Sequence, residues 1–225
     1  MTDRYKRLAV PASAVVMVAG VLTALLLPGT PDTTASGAKV IAFFQAHHTA
    51  MYVAAFSVAY AAVAGVLFFV SVASFLRARG SQLLAATTAV GAAVFAGGLL
   101  LGAGTLGAAN DAPGRMSADV ARTLNIIQDD VFAPAMFAGL GIAVLSIGVA
   151  SLRTKALPKA LGIITTIVGV VLLSGIGSWF GFMACAPLSL VIAGYVYQRL
   201  GTRTQITMPD VPVQATAEAP TQVTA

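Results

Sequence analysis

Apolar positions gather into six long runs along the chain, separated by short polar stretches: 8–27, 50–76, 83–109, 131–152, 158–176 and 183–198. An α-helix rises about 1.5 Å per residue and a bilayer's hydrocarbon core is about 30 Å thick, so a span needs about 20 apolar residues. The first four runs meet that length. The last two are shorter and join through a tight hairpin at 177–182. No run alternates with the period of two expected of a membrane barrel strand. The pattern predicts an all-α, polytopic membrane protein with six transmembrane helices in one bundle.

Two of the polar stretches carry a helical period of their own. In SGAKVIAFFQAHH (36–48), Val40, Ile41 and Phe44 form an apolar stripe. In SADVARTLNIIQDD (117–130), Val120, Leu124 and Ile127 do the same. Each stretch opens on a serine, whose hydroxyl accepts an orphan N–H at a helix start. Two outer amphipathic surface helices are therefore expected. The order of span, outer helix and span occurs twice, over 8–76 and 83–152, as a parallel repeat of low identity. The membrane domain covers 1–199. Residues 200–225 are rich in Thr, Gln, Ala and Pro, with isolated apolar positions, and read as a disordered tail.

Composition narrows the class. Of 225 residues 58% are hydrophobic and 9% charged, with a mean hydropathy of +0.88. A soluble domain is about 45–50% apolar and about 25% charged. These values exclude a soluble globular protein, a disordered chain and a coiled coil. The net charge of +5 does not point to nucleic acid, because the basic residues flank apolar runs. Arg4, Lys6, Arg7, Arg77, Arg79, Arg153, Lys155, Lys159, Arg199 and Arg203 fall on one side. Lys39, Arg115 and Arg122 fall on the other, with Asp32, Asp111, Asp119, Asp129 and Asp130. Basic residues mark the cytoplasmic face, so both termini are expected there. Tyr5, Tyr195 and Tyr197 then lie at the inner boundary and Trp179 at the outer. The first run is longer than a signal peptide's apolar region and reads as a retained span. The lone Cys185 has no disulfide partner and reads as a small apolar core residue.

Candidate chemistry is sparse. His47 and His48 correspond in the repeat to Asp129 and Asp130, each pair where an outer helix meets a returning span. Together these four are candidate metal ligands, or a proton-sensitive pair, near the outer boundary. The competing reading makes Asp130 the N-cap of the fourth span, four residues before Pro134. No Asp, Glu, Lys or Arg lies in mid-span, which argues against a proton pump, a voltage sensor or an intramembrane aspartyl protease. Tyr60, Thr165 and Thr166 are candidate cavity-lining residues. Gly98 and Gly102, with glycines on the fourth and fifth runs, suit close helix packing. Pro187 kinks the last span or closes its first turn.

The Asp32…Phe43-Phe44-x-x-His47 segment and the Leu157-Pro158-Lys159-x-Leu161-Gly162 opening of the fifth run resemble small multi-pass bacterial membrane proteins classed as domains of unknown function. The resemblance spans about 8–198. It implies a bacterial plasma-membrane protein and no activity. Three classes of function follow from the chain. The first is a non-catalytic membrane subunit or scaffold, with a membrane-protein partner or a second copy. The second is binding or permeation of a small apolar or lipidic molecule. The third is a His- or metal-dependent enzyme or sensor at the outer face. No catalytic motif and no cofactor signature is present, and the bilayer is the expected partner.

Overall fold

The computed structural model describes residues 3–111 and 113–205, with the side chains of 8–111 and 113–200. The described residues form helices and connections, with no strand among them. The helices are α1 (Asp3–Leu26), α2 (Gly37–Ala46), α3 (His48–Arg77), α4 (Gln82–Asp111), α5 (Ala118–Ile127), α6 (Ala133–Thr154), α7 (Lys159–Leu173) and α8 (Ser178–Gln205). A π turn, Gln128–Phe132, joins α5 to α6 without a break. The side chains of Arg4, Tyr5, Lys6, Arg7 and Arg203 lie outside the described residues. So does the expected tail over 206–225. Helix α8 runs to Gln205, beyond the expected end of the last span at 198.

Among the described residues, five stretches are long and apolar enough to cross a membrane: Leu8–Leu26, His48–Arg77, Gln82–Asp111, Ala118–Thr154 and Ser178–Leu200. The fifth expected run is the exception. There α7 has 15 residues, about 22 Å at 1.5 Å per residue. It stops because Gly175 takes a left-handed φ of 73°, a conformation glycine adopts without a Cβ clash. The Ser178 hydroxyl closes that turn by donating to Leu172 O at 3.0 Å and Gly175 O at 3.1 Å. The connection is thus Ser174–Gly177, and most of the expected 177–182 hairpin is already helix. Pro187 lies in the interior of α8 and does not open it.

Packing passes from helix to helix: α1 on α3, α3 on α4, α4 on α6, α6 on α7, α7 on α8, and α8 back onto α1. Small residues make this possible. A Cβ on Gly91 would sit 2.6 Å from the Ala143 nitrogen, and a Cβ on Gly139 would meet the backbone of α4 at Phe95. Helix backbones that approach this closely gain dispersion contacts without help from the hydrophobic effect, which is absent in lipid. Phe68, Phe69 and Phe95 fill the centre, with ring centroids 5.0 and 6.2 Å apart edge to face. Large apolar side chains also cover the outside: Phe56, Val63 and Leu67 of α3 are all exposed. An apolar exterior of this kind suits a lipid solvent.

At one end α2 and α5 pack against each other and cap the long helices. Gly37 rests on the Ala118 backbone, where any Cβ would collide. The serine caps form as expected: Ser36 Oγ accepts from Lys39 N at 3.4 Å and Ser117 Oγ from Val120 N at 3.3 Å. The first stripe is buried through Val40 and Phe44. The second turns differently. Val120 is half exposed, and Ala121 and Asn125 face inward.

Candidate functional site

The four candidate ligands do not converge. Among the described residues no three or more of His, Cys, Asp and Glu form a group able to hold a metal. His47 terminates α2 and starts α3. Its Nδ1 lies 3.0 Å from Phe43 O and its ring lies against that of Phe43. A carbonyl only accepts, so Nδ1 carries the proton in this contact. His48 meets Tyr52 edge to face at 4.9 Å, and Tyr52 donates to Asp111 Oδ1 at 2.9 Å. These histidines are tied into the α2–α3 corner. Asp130 caps nothing, because the helix continues through it from α5 into α6.

The three candidate cavity residues stand elsewhere too. Tyr60 is 65% exposed on the outer face of α3. Thr165 is fully buried and donates to Leu161 O at 2.7 Å; Thr166 donates to Gly162 O at 2.8 Å. A hydroxyl that donates to its own helix has its one O–H donor engaged there. None of the three lines the crevice described next.

That crevice opens at the capped end, where α1, α3, α4, α6 and α8 meet. Its volume is about 360 Å³, within the roughly 300–1,000 Å³ typical of small-molecule sites. One wall is the C-terminal end of α1 and the loop after it, through Val21, Leu25 and Thr30. Another is α3 and α4, through Met51, Val58, Gly98 and Gly102. The π turn and α6 supply Gln128, Asp129, Phe132 and Met136; α8 supplies Trp179 and Phe182. The lining is mostly apolar, and Asp129 is its one charged side chain. Asp130 and Asp32 act on Asp129 as like charges, so this rim is acidic. The backbone N–H of Thr34 and then its hydroxyl hold the Asp32 carboxyl below the usual carboxylate range.

Local chemistry explains why these side chains reach the crevice. Pro134 has no N–H to give to the carbonyl four residues back, and its ring crowds that carbonyl. The helix widens into the π turn just before it, with Ala133 N bonding to Gln128 O, five residues back. Such turns reset the rotational phase of a helix and recur at functional sites. Here the widened turn carries Gln128, Asp129 and Phe132. Across the crevice, Trp179, Phe182 and Phe137 pack edge to face at 5.3–5.8 Å and hold the indole in place. Glycine serves two ends. Gly98 lets α6 approach, with Met136 N 2.8 Å from where its Cβ would be, while nothing stands within 4 Å of a Cβ on Gly102. Gly102 therefore keeps space open instead of closing a helix contact.

Two buried amides fix the surrounding frame. Asn110 Nδ2 donates to His48 O at 2.9 Å, and Asn125 Nδ2 donates to Pro31 O at 2.9 Å and Asp32 O at 3.3 Å. The sequence reading gave neither of them a site role. Asn110 has a signal, an amide at the end of an apolar run where a polar side chain needs a partner, while Asn125 lies within the polar 117–130 stretch and has none. Comparison with protein-family models, with curated proteins and with solved structures returns no match to this chain.

Proposed function

We propose that the chain is a six-span bacterial plasma-membrane protein whose capped-end crevice binds a small apolar or lipidic molecule. The short helix α7 is the sixth span in this reading, and both termini lie on the cytoplasmic side, with the ten basic residues. The crevice is the observation that carries the functional part. It is apolar, of ligand size, and its lining includes a few groups with hydrogen-bonding capacity: Gln128, Asp129, Thr30 and the Trp179 indole. An apolar body with a neutral or cationic head fits that distribution. An anionic head would meet the Asp129 carboxylate. The enzyme reading draws no support from His47 and His48, which form no group of three or more ligands with Asp129 and Asp130.

Gly102→Phe tests this reading. The new side chain enters the crevice at a position with no close neighbour, so the fold has room for it. Native mass spectrometry of the wild-type protein from mild detergent should show a reproducible small-molecule adduct. The variant should lose it while keeping its helix content and unfolding temperature. A bare wild-type protein, or one that copurifies only with another polypeptide, would instead favour the non-catalytic subunit.

A further inference from the structure

A second cavity, of about 370 Å³, lies at the opposite end of α1, α3 and α8. It is built from Val10 of α1, Val70, Ser71 and Phe75 of α3, Arg79 just beyond that helix, and Arg199 of α8. Among the described residues its charged groups are two arginines more than a hundred positions apart in the chain, with no carboxylate in the lining. Each guanidinium is held by an aromatic ring four residues earlier. Arg79 lies 4.9 Å over Phe75, and Arg199 lies 5.2 Å over Tyr195. Arg199 also donates through Nε to the Tyr195 hydroxyl at 2.9 Å. That bond uses one edge of the fork and leaves the two Nη groups as donors. Stacking on a ring restricts a long side chain before any ligand arrives, so less rotamer freedom is lost on binding.

The surroundings share the sign. Arg77, Arg153, Lys155 and Lys159 flank the same end, and 77–82 and 153–159 contain no Asp or Glu. Ser71 and Ser74 already donate to Leu67 O and Val70 O, so the guanidinium groups are the donors the cavity offers. Below them the wall is Val10, Val70 and the Phe75 ring. A planar fork matches phosphate oxygens. Basic pockets between membrane helices hold anionic lipid headgroups. We infer that this cavity binds the phosphate of an anionic phospholipid between Arg79 and Arg199, with its acyl chains along the apolar wall of α1 and α3. The inference rests on the membrane reading and is independent of the occupant of the capped-end crevice.

The test uses the full chain in nonionic detergent, with binding of phosphatidylglycerol and of phosphatidylcholine of identical acyl chains read by native mass spectrometry. Wild type should prefer phosphatidylglycerol. A basic residue beside an anionic lipid is worth about fivefold in affinity. Arg79→Gln/Arg199→Gln should therefore weaken phosphatidylglycerol binding roughly 25-fold, if the two act independently. Phosphatidylcholine binding should not change. Arg79→Lys/Arg199→Lys should fall between the two, and Arg122→Gln at the other end should match wild type. Gly102→Phe should bind phosphatidylglycerol normally even if it abolishes the adduct at the capped end. If the double glutamine variant unfolds, Arg199→Gln alone carries the test at about fivefold. Equal binding of both lipids, or no loss in the arginine variants, would overturn the inference. So would displacement of the lipid by inorganic phosphate at equal concentration, which would mark a site for a soluble anion.

Discussion

Asn125 shows how much one side chain settles. It is 5% exposed, and its amide nitrogen binds two carbonyls of the loop after α1. The loop is thereby anchored to α5, and Thr30, just before it, lines the crevice. A buried carbonyl left without a donor costs about 1–3 kcal/mol. Asn125→Leu should therefore lower stability by about that amount, read as an earlier unfolding transition in detergent. A loss below about 0.5 kcal/mol would mean that water already reaches these carbonyls. In the sequence Asn125 stands in the polar 117–130 stretch, off the apolar stripe of Val120, Leu124 and Ile127, and nothing there marks it as buried. Val120 turns out on α5 while Asn125 turns inward, because its neighbour is the loop after α1, with the carbonyls of Pro31 and Asp32. No hydropathy pattern contains that neighbour. The same holds for His47: its pairing with Asp129 came from counting residues, but its ring nitrogen lies against the carbonyl one turn earlier in its own helix.

At the scale of elements, the long helices were legible because a run of about 20 apolar residues has few other fates. Their ends were legible where Gly or Ser carries a conformational or capping role. The junction of α5 and α6 was not. Asp130 before Pro134 has the residue types of a helix start, and a proline near a first turn strengthens that signal. The chain resolves the missing donor by widening the helix, an alternative that residue identity alone does not separate from a new start. Removing the cause should reverse the effect. In Pro134→Ala the ordinary i→i−4 ladder becomes available again, and one residue of phase corresponds to about 100° of rotation about the axis. Gln128 and Asp129 should then turn relative to the crevice. The variant should keep the wild-type helix content by circular dichroism and lose most of the small-molecule adduct. Retention of the adduct at wild-type level would show that the π turn does not position the site.

At the scale of the whole molecule, hollows of opposite electrical character stand at opposite ends of α1, α3 and α8. Charge asymmetry along the sequence already separated those ends, with carboxylates beside 36–48 and 117–130 and arginines beside 77–82 and 153–159. The hollows themselves were not legible. They arise where small residues stop packing, and Gly98 and Gly102 share one motif yet have different surroundings. Between the ends the core is continuous, and Cys185 lies in it, 6% exposed. A thiol there meets reagent only when the helices part. A soluble maleimide should therefore leave Cys185 unlabelled in the native protein and label it on denaturation. Rapid labelling of the folded protein would mean that α8 opens locally from its neighbours.

The chain contains one tryptophan, and it stands in the wall of the capped-end crevice. An indole's emission follows the polarity of its immediate surroundings, and Trp179 is 56% exposed. The protein thus carries its own optical gauge. A molecule entering the crevice replaces the medium against that ring, so light emitted by this single residue reports occupancy of the site without a label.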